Sequence, residues 1–151
     1  MRRAIELSRL CPPSETAFSV GAVLVDRAGA IVSEGYSREL DDHVHAEEAA
    51  LAKLPDDEPR LREATLYSTL EPCTERKSRP VPCAQLVLAA AIPRVVIAWR
   101  EPDLFVADCV GTELLRDAGV EVVELPELAE DARSVNAHLL SRFQPRPDRP
   151  A

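Results

Sequence analysis

Three consecutive stretches decide the fold: Val95-Val96-Ile97-Ala98-Trp99, then Gly111 to Gly119, then Val120 to Leu125. The first and last are short, β-branched apolar runs of the kind a strand buried on both faces requires. Between them Leu114, Leu115 and Ala118 fall at helical spacing, and Gly119 supplies a C-terminal cap. Two strands joined through a helix pair most readily in parallel.

Upstream, residues 1–10 carry Ile5, Leu7 and Leu10 among charges, a short helix that Pro12-Pro13 must end. Phe18 to Asp26 and Ala30 to Tyr36 flank Arg27-Ala28-Gly29 and predict a β-hairpin. His45 to Leu54 is dense in strong helix formers and closes at Pro55; Thr65 to Leu70 is a short strand ended by Glu71-Pro72; Ala84 to Ala91 is a further helix. Leu128 to Phe143 reads as one amphipathic helix, with Leu128, Ala132, Val135, Leu139 and Leu140 on one side. The order α, β, β, α, β, α, β, α, β, α predicts a three-layer α/β/α sandwich on a mixed five-stranded sheet with its last two strands parallel. We expect a single domain over residues 1–143 and a flexible Pro-rich tail over 144–151.

Composition excludes several classes. With 151 residues, 46% of them apolar, the chain can bury a full core without disulfide staples. Runs such as Leu86 to Ile92 are far shorter than the roughly 20 residues a membrane helix needs. Met1-Arg2-Arg3-Ala4-Ile5-Glu6 turns acidic before an apolar signal core can form, so an untargeted cytoplasmic protein is expected. The net charge of −8 repels phosphate backbones and disfavours a nucleic-acid partner. Cys11, Cys73, Cys83 and Cys109 are too irregular for a disulfide framework and point instead to metal or chemistry.

His45-Ala46-Glu47 opens one predicted helix, and Pro72-Cys73, followed after nine residues by Cys83, opens another. One imidazole and two thiolates suit Zn²⁺, and three protein ligands leave the fourth tetrahedral position open, which is the mark of catalysis. Helix starts favour thiolate over thiol. Glu47 lies in the first turn beyond the His45 ligand and can face a water there without coordinating the ion, which makes it the candidate proton shuttle. A structural zinc site is the alternative, and it requires a fourth strong ligand.

These residues are similar to the zinc-dependent cytidine deaminase superfamily, whose signature of His-x-Glu followed by Pro-Cys and a second Cys is a known pattern. Within it the chain most resembles the deaminase domain of the bifunctional riboflavin-biosynthesis enzyme, on Val20-Gly21-Ala22-Val23, His45-Ala46-Glu47, Thr69-Leu70-Glu71-Pro72-Cys73, Pro82-Cys83, Phe105-Val106-Ala107 and Leu114 to Val122. The resemblance implies a hydrolase replacing an exocyclic amine on a pyrimidine-like heterocycle with oxygen. It also implies zinc on His45, Cys73 and Cys83, proton transfer by Glu47, backbone at Glu71 and Pro72 accepting the leaving group's N–H, and a homo-oligomer, dimer or tetramer. The chain departs from the pattern at Ala17-Phe18-Ser19, where the family has Asn-Pro, at Asp108-Cys109, where it has Gly-Lys, and across the loop 74–82. A cytosine nucleoside or nucleotide, guanine and an antibiotic-pathway intermediate therefore stay open as substrates beside the riboflavin-pathway aminopyrimidine.

Further substrate contacts are expected from Phe18 and Tyr36 as flat walls and from His43, two residues before a ligand. Arg76, Lys77 and Arg79 are expected to receive a substrate phosphate, because their loop joins two metal ligands. Cys11 and Cys109 match no ligand spacing and are expected to be small hydrophobes. His138 is expected to be structural, and Trp99 to belong to the core.

Overall fold

In the computed structural model, which describes residues 1–102 and 110–143 (the side chains of Arg142 and Phe143 apart), the five strands line up in the order β2-β1-β3-β4-β5. They are β1 (Gly21–Val25), β2 (Ile31–Tyr36), β3 (Thr65–Leu70), β4 (Arg94–Trp99) and β5 (Glu121–Glu124). β1 runs antiparallel to both β2 and β3, whereas β3 with β4 and β4 with β5 are parallel. The hairpin turn is set by Asp26, whose carboxylate accepts from the amides of Ala28 and Ala30 at 2.9 Å. The predicted sandwich is the one observed, with Phe105–Ala107, Asp108, Cys109 and the tail 144–151 lying outside the described residues.

The helices are α1 (Arg2–Ser8), α2 (Ala46–Ala52), α3 (Cys83–Ala89), α4 (Gly111–Asp117), α5 (Ala129–Ser134) and α6 (Ala137–Phe143). α2, α3 and α4 adjoin one another over one face of the sheet, and α1 and α5 adjoin on the other. Strand periodicity sorts the side chains accordingly: Ala22 and Leu24 of β1 enter the main core, whereas Val23 meets Ala4 and Leu7 of α1. Among the described residues, no helix is long and apolar enough to cross a membrane.

Two local features differ from the sequence expectation. A 3-10 turn over Pro59–Glu63 lies between α2 and β3, where proline fixes the entry and the Glu58 carboxylate accepts the Arg60 amide. The single helix expected over 128–143 is instead a 3-10 turn (Pro126–Leu128), α5 and α6. The break falls at Asn136, which is buried and turns its amide to the backbone of Ser19, accepting from Ser19 N at 2.7 Å and donating to Ser19 O at 3.0 Å. A long-range polar bond here outweighs continuity of the helix, as asparagine's poor helix propensity permits.

Placement of the site follows from this framework. Gly35 of β2 lets α2 approach so closely that a Cβ there would lie 2.4 Å from Ala46 O and 2.5 Å from Ala50 N. The first turn of α2 is thereby pressed against the sheet beside the carboxyl end of β3.

Candidate active site

His45 is the residue that caps α2, with extended backbone, and Glu48 one turn on accepts its amide at 3.4 Å. Cys73 follows β3 in the loop that opens after Glu71-Pro72, and Cys83 is the first residue of α3. The start of α3 folds back on Cys73, since Cys83 N donates to Cys73 Sγ at 3.4 Å and Ala84 N donates to Cys73 O at 3.1 Å. His45 Nδ1 lies 3.6 Å from Cys73 Sγ and 3.4 Å from Cys83 Sγ.

These separations test the donor set for an ion. Zinc bonds of about 2.05 Å to nitrogen and 2.3 Å to sulfur, at tetrahedral angles, put the two donors about 3.6 Å apart. The trio fits, and its three donor atoms all lie within 4.8 Å of one another. Among the described residues this group holds three donors and no fourth.

The electrostatics agree with a site built for thiolate. The Cys73 thiol is pulled well down, first by a hydrogen bond from Cys83 and then by His45 against the cost of burial, and the same shared proton holds Cys83 up. Burial opposes protonation of His45, but Cys73 and the Glu47 charge outweigh it and raise the imidazole.

Glu47 is buried in the first turn of α2, and its Oε1 accepts from Ser68 Oγ of β3 at 2.9 Å. Burial pushes its carboxyl above the ordinary range, with His45 and Ser68 working the other way. A cavity of about 840 Å³ opens over Glu47, His45 and Cys73. Its walls are the segment 12–18, the stretch between β2 and α2, and the start of the loop between the cysteines.

The other expected contacts are only partly brought together. Phe18, His43, Glu71, Arg76 and Lys77 line the cavity; Phe18 stands edge-on to Trp99 with centroids 5.5 Å apart. Tyr36 does not: alternation along β2 sends it to the opposite face, against Ala4, Leu7 and Val23. Pro72 also turns away, its carbonyl packed where a Cβ on Gly111 would come within 2.1 Å. The Glu71 carboxylate is buried and engaged, accepting from Thr112 N at 2.7 Å and Glu101 N at 3.1 Å.

Arg76 lines the cavity and Arg79 does not, and both are paired with acids. Arg76 is almost wholly buried, pairs with Glu48 at 3.0 Å, donates to His43 O at 2.8 Å and reaches Cys83 Sγ at 4.0 Å. Arg79 bridges Glu48 at 3.2 Å and pairs with Asp41. The physical reason is proximity: the loop between the cysteines folds against the acidic first turn of α2, and nearby carboxylates neutralise its guanidiniums, although Arg76 Nε is buried without a partner among the described residues. Cys11 is remote from the metal donors and donates to Val20 O at 3.4 Å. His138 meets Ser14 O at 2.9 Å and so holds a cavity wall.

Sequence reading missed Ser68, Arg38 and Asn136. A serine amid the apolar alternation of β3 and an asparagine inside an apolar helix were the available signals for two of them. Nothing in the sequence marks Arg38, whose left-handed backbone (φ 65°) appears only in the folded chain.

The family model of the cytidine and deoxycytidylate deaminase zinc-binding region matches residues 1–99. The diaminohydroxyphosphoribosylamino-pyrimidine deaminase of Schizosaccharomyces pombe is 42% identical over 133 residues, 87% of this chain, which spans only 32% of that relative's length. The structure of Acinetobacter baumannii RibD superposes with a TM-score of 0.78 at 30% identity, over 94% of this chain and 38% of that one. Aspergillus oryzae Rib2 deaminase, solved in complex with DARIPP, superposes with a TM-score of 0.66 at 26% identity, over 93% and 96% of the two chains. The fold, the donor trio and these matches together place the chain in the cytidine and deoxycytidylate deaminase zinc-binding family.

Proposed function

We propose that the chain hydrolyses the exocyclic amine of a phosphoribosylated aminopyrimidine, forming a carbonyl and releasing ammonia. The observation that carries this reading is the buried Glu47 carboxyl beside a His45, Cys73 and Cys83 trio on the floor of a cavity, in a chain 42% identical to an S. pombe deaminase named for such a substrate. The absence of a fourth donor from the trio, among the described residues, favours this reading over a closed structural zinc site.

His45 Nδ1, Cys73 Sγ and Cys83 Sγ would hold Zn²⁺, which when bound supplies a Lewis acid and hydroxide at neutral pH. Ser68 fixes Glu47 Oε1, and Glu47 lines the cavity. Glu47 takes a proton from the attacking water and passes it to the ring nitrogen next to the reacting carbon, then takes the second proton from the hydroxyl now on that carbon and gives it to the departing amine, so that the carbonyl forms as the C–N bond breaks and ammonia leaves. Burial that raises the Glu47 carboxyl suits it to hold a proton between those transfers. Phe18 supplies an apolar wall for a flat ring, with His43 and Lys77 at the rim. The same reading takes residues 1–143 as one deaminase domain, working as a homo-oligomer in a reducing cytoplasm that keeps Cys73 and Cys83 as free thiols.

The test is ammonia release by the zinc-loaded protein from the phosphoribosylated diaminopyrimidine, its dephosphorylated form, cytosine nucleosides and nucleotides, and guanine. We expect the first to give the highest kcat/KM. A clear preference for any of the others overturns the substrate, and release from none overturns the reaction.

A further inference from the structure

The cavity contains a second functional group that the reaction above leaves unused. Arg38 lies just after β2, lines the cavity with Glu47 and His45, and is half-buried. Its guanidinium is held on three sides: Nε donates to Pro12 O at 2.9 Å, Nη1 to Phe18 O at 3.1 Å, and Nη2 to Ser19 Oγ at 2.9 Å. A guanidinium has five N–H groups, so two remain after these bonds.

What sets Arg38 apart is its charge balance. Among the described arginines only Arg38, Arg76 and Arg79 are not exposed; Arg76 and Arg79 pair with carboxylates, and Arg38 pairs with none. All three of its acceptors are uncharged oxygens. Withdrawing a cation from water without a counter-charge is costly, and burial accordingly lowers its pKa. The backbone adds to that cost, because Arg38 adopts φ 65°, a left-handed conformation that is unfavourable for a residue with a side chain. Two unfavourable choices at one cavity-lining residue are explained if an anion from outside completes the site.

We propose that Arg38 is the anion-recognition residue of this cavity, its two remaining N–H groups gripping the phosphomonoester of the substrate. The inference rests on the phosphoribosylated substrate proposed above and moves that role away from Arg76 and Arg79, whose charges are already neutralised. Lys77 also lines the cavity, but as an exposed flexible ammonium that must be ordered on binding. Arg38 is ordered before the ligand arrives, and its planar fork matches two phosphate oxygens at once.

The experiment compares kcat/KM for the phosphorylated aminopyrimidine and its dephosphorylated form in the zinc-loaded wild type, Arg38→Lys and Arg38→Met. Ribose 5-phosphate serves as a competing probe, and zinc content and thermal midpoint are recorded for each variant. The ratio of the two kcat/KM values should fall about tenfold or more in Arg38→Met, the least that one charge-assisted contact is worth. The loss should lie mainly in KM, ribose 5-phosphate should cease to inhibit, and Arg38→Lys should recover part of the ratio. If Arg38→Met lowers both substrates equally and keeps the ratio, Arg38 only staples the wall and the proposal is wrong. Should Arg38→Met not fold, an unchanged ratio in Arg38→Lys has the same meaning, because lysine cannot supply the fork. A wild type indifferent to the phosphate overturns the substrate reading and this inference together.

Discussion

Replacing Arg76 with Met is the sharpest test of how the metal site is held. Methionine is about as long and apolar as the stem it replaces, so little packing is lost. What disappears is the ion pair to Glu48 at 3.0 Å, the bond to His43 O at 2.8 Å and the cation beside Cys83 Sγ at 4.0 Å. Glu48 keeps Arg79 and the His45 amide, so its own charge is not stranded. A hydrogen bond involving a charged group contributes about 1.5–3 kcal/mol, and these bonds tie the loop between the cysteines to the turn that carries His45. If roughly 2–3 kcal/mol of that ordering is borne by the bound ion, zinc affinity drops about 30- to 150-fold. Competition with a chromophoric chelator measures it, and the thiolate-to-metal charge-transfer band of the cobalt-substituted protein reports whether both sulfurs still bind. Zinc affinity within about twofold of wild type would refute the reasoning and leave Arg76 as a buried ion-pair partner of Glu48 with no part in holding the metal.

Glu47→Gln should retain zinc and lose at least about 10²-fold in kcat, the low end for a positioned proton carrier, as ammonia release will register. Metal analysis should find about one zinc per chain in the wild type and strong loss in Cys73→Ser and Cys83→Ser; full retention in both would refute the ligand set. Asn136→Ala should lower stability by about 2–4 kcal/mol, because it leaves both the amide and the carbonyl of Ser19 buried without partners, and urea unfolding will measure it.

How far the chain could be read in advance depended on the range of each interaction. Alternation and helix spacing are local, so the hairpin, the order of elements and the parallel pairing of β4 with β5 were legible. The trio of His45, Cys73 and Cys83 was legible because metal chemistry restricts donors to few residue types. Tyr36 was misjudged because one step along a strand reverses the face, and only the packing of α1 decides which face is covered. The ion pairs of Arg76 and Arg79 were not legible because their partners, Glu48 and Asp41, are distant in sequence and meet them only when the loop folds over α2. The division at Asn136 had the same cause, a bond spanning most of the chain.

The central position of β3 bears on the order in which the protein matures. β3 is hydrogen-bonded on one side to β1 and on the other to β4, and Cys73 lies just beyond its end. Cys73 thus reaches the turn that carries His45 only once the middle of the sheet has been assembled, by pairings that close long loops and form slowly. Metal uptake in refolding should therefore be a late event whose rate follows sheet formation and is independent of zinc concentration once the ion is in excess. The ion would then act as a latch on a completed scaffold rather than as the seed of its folding.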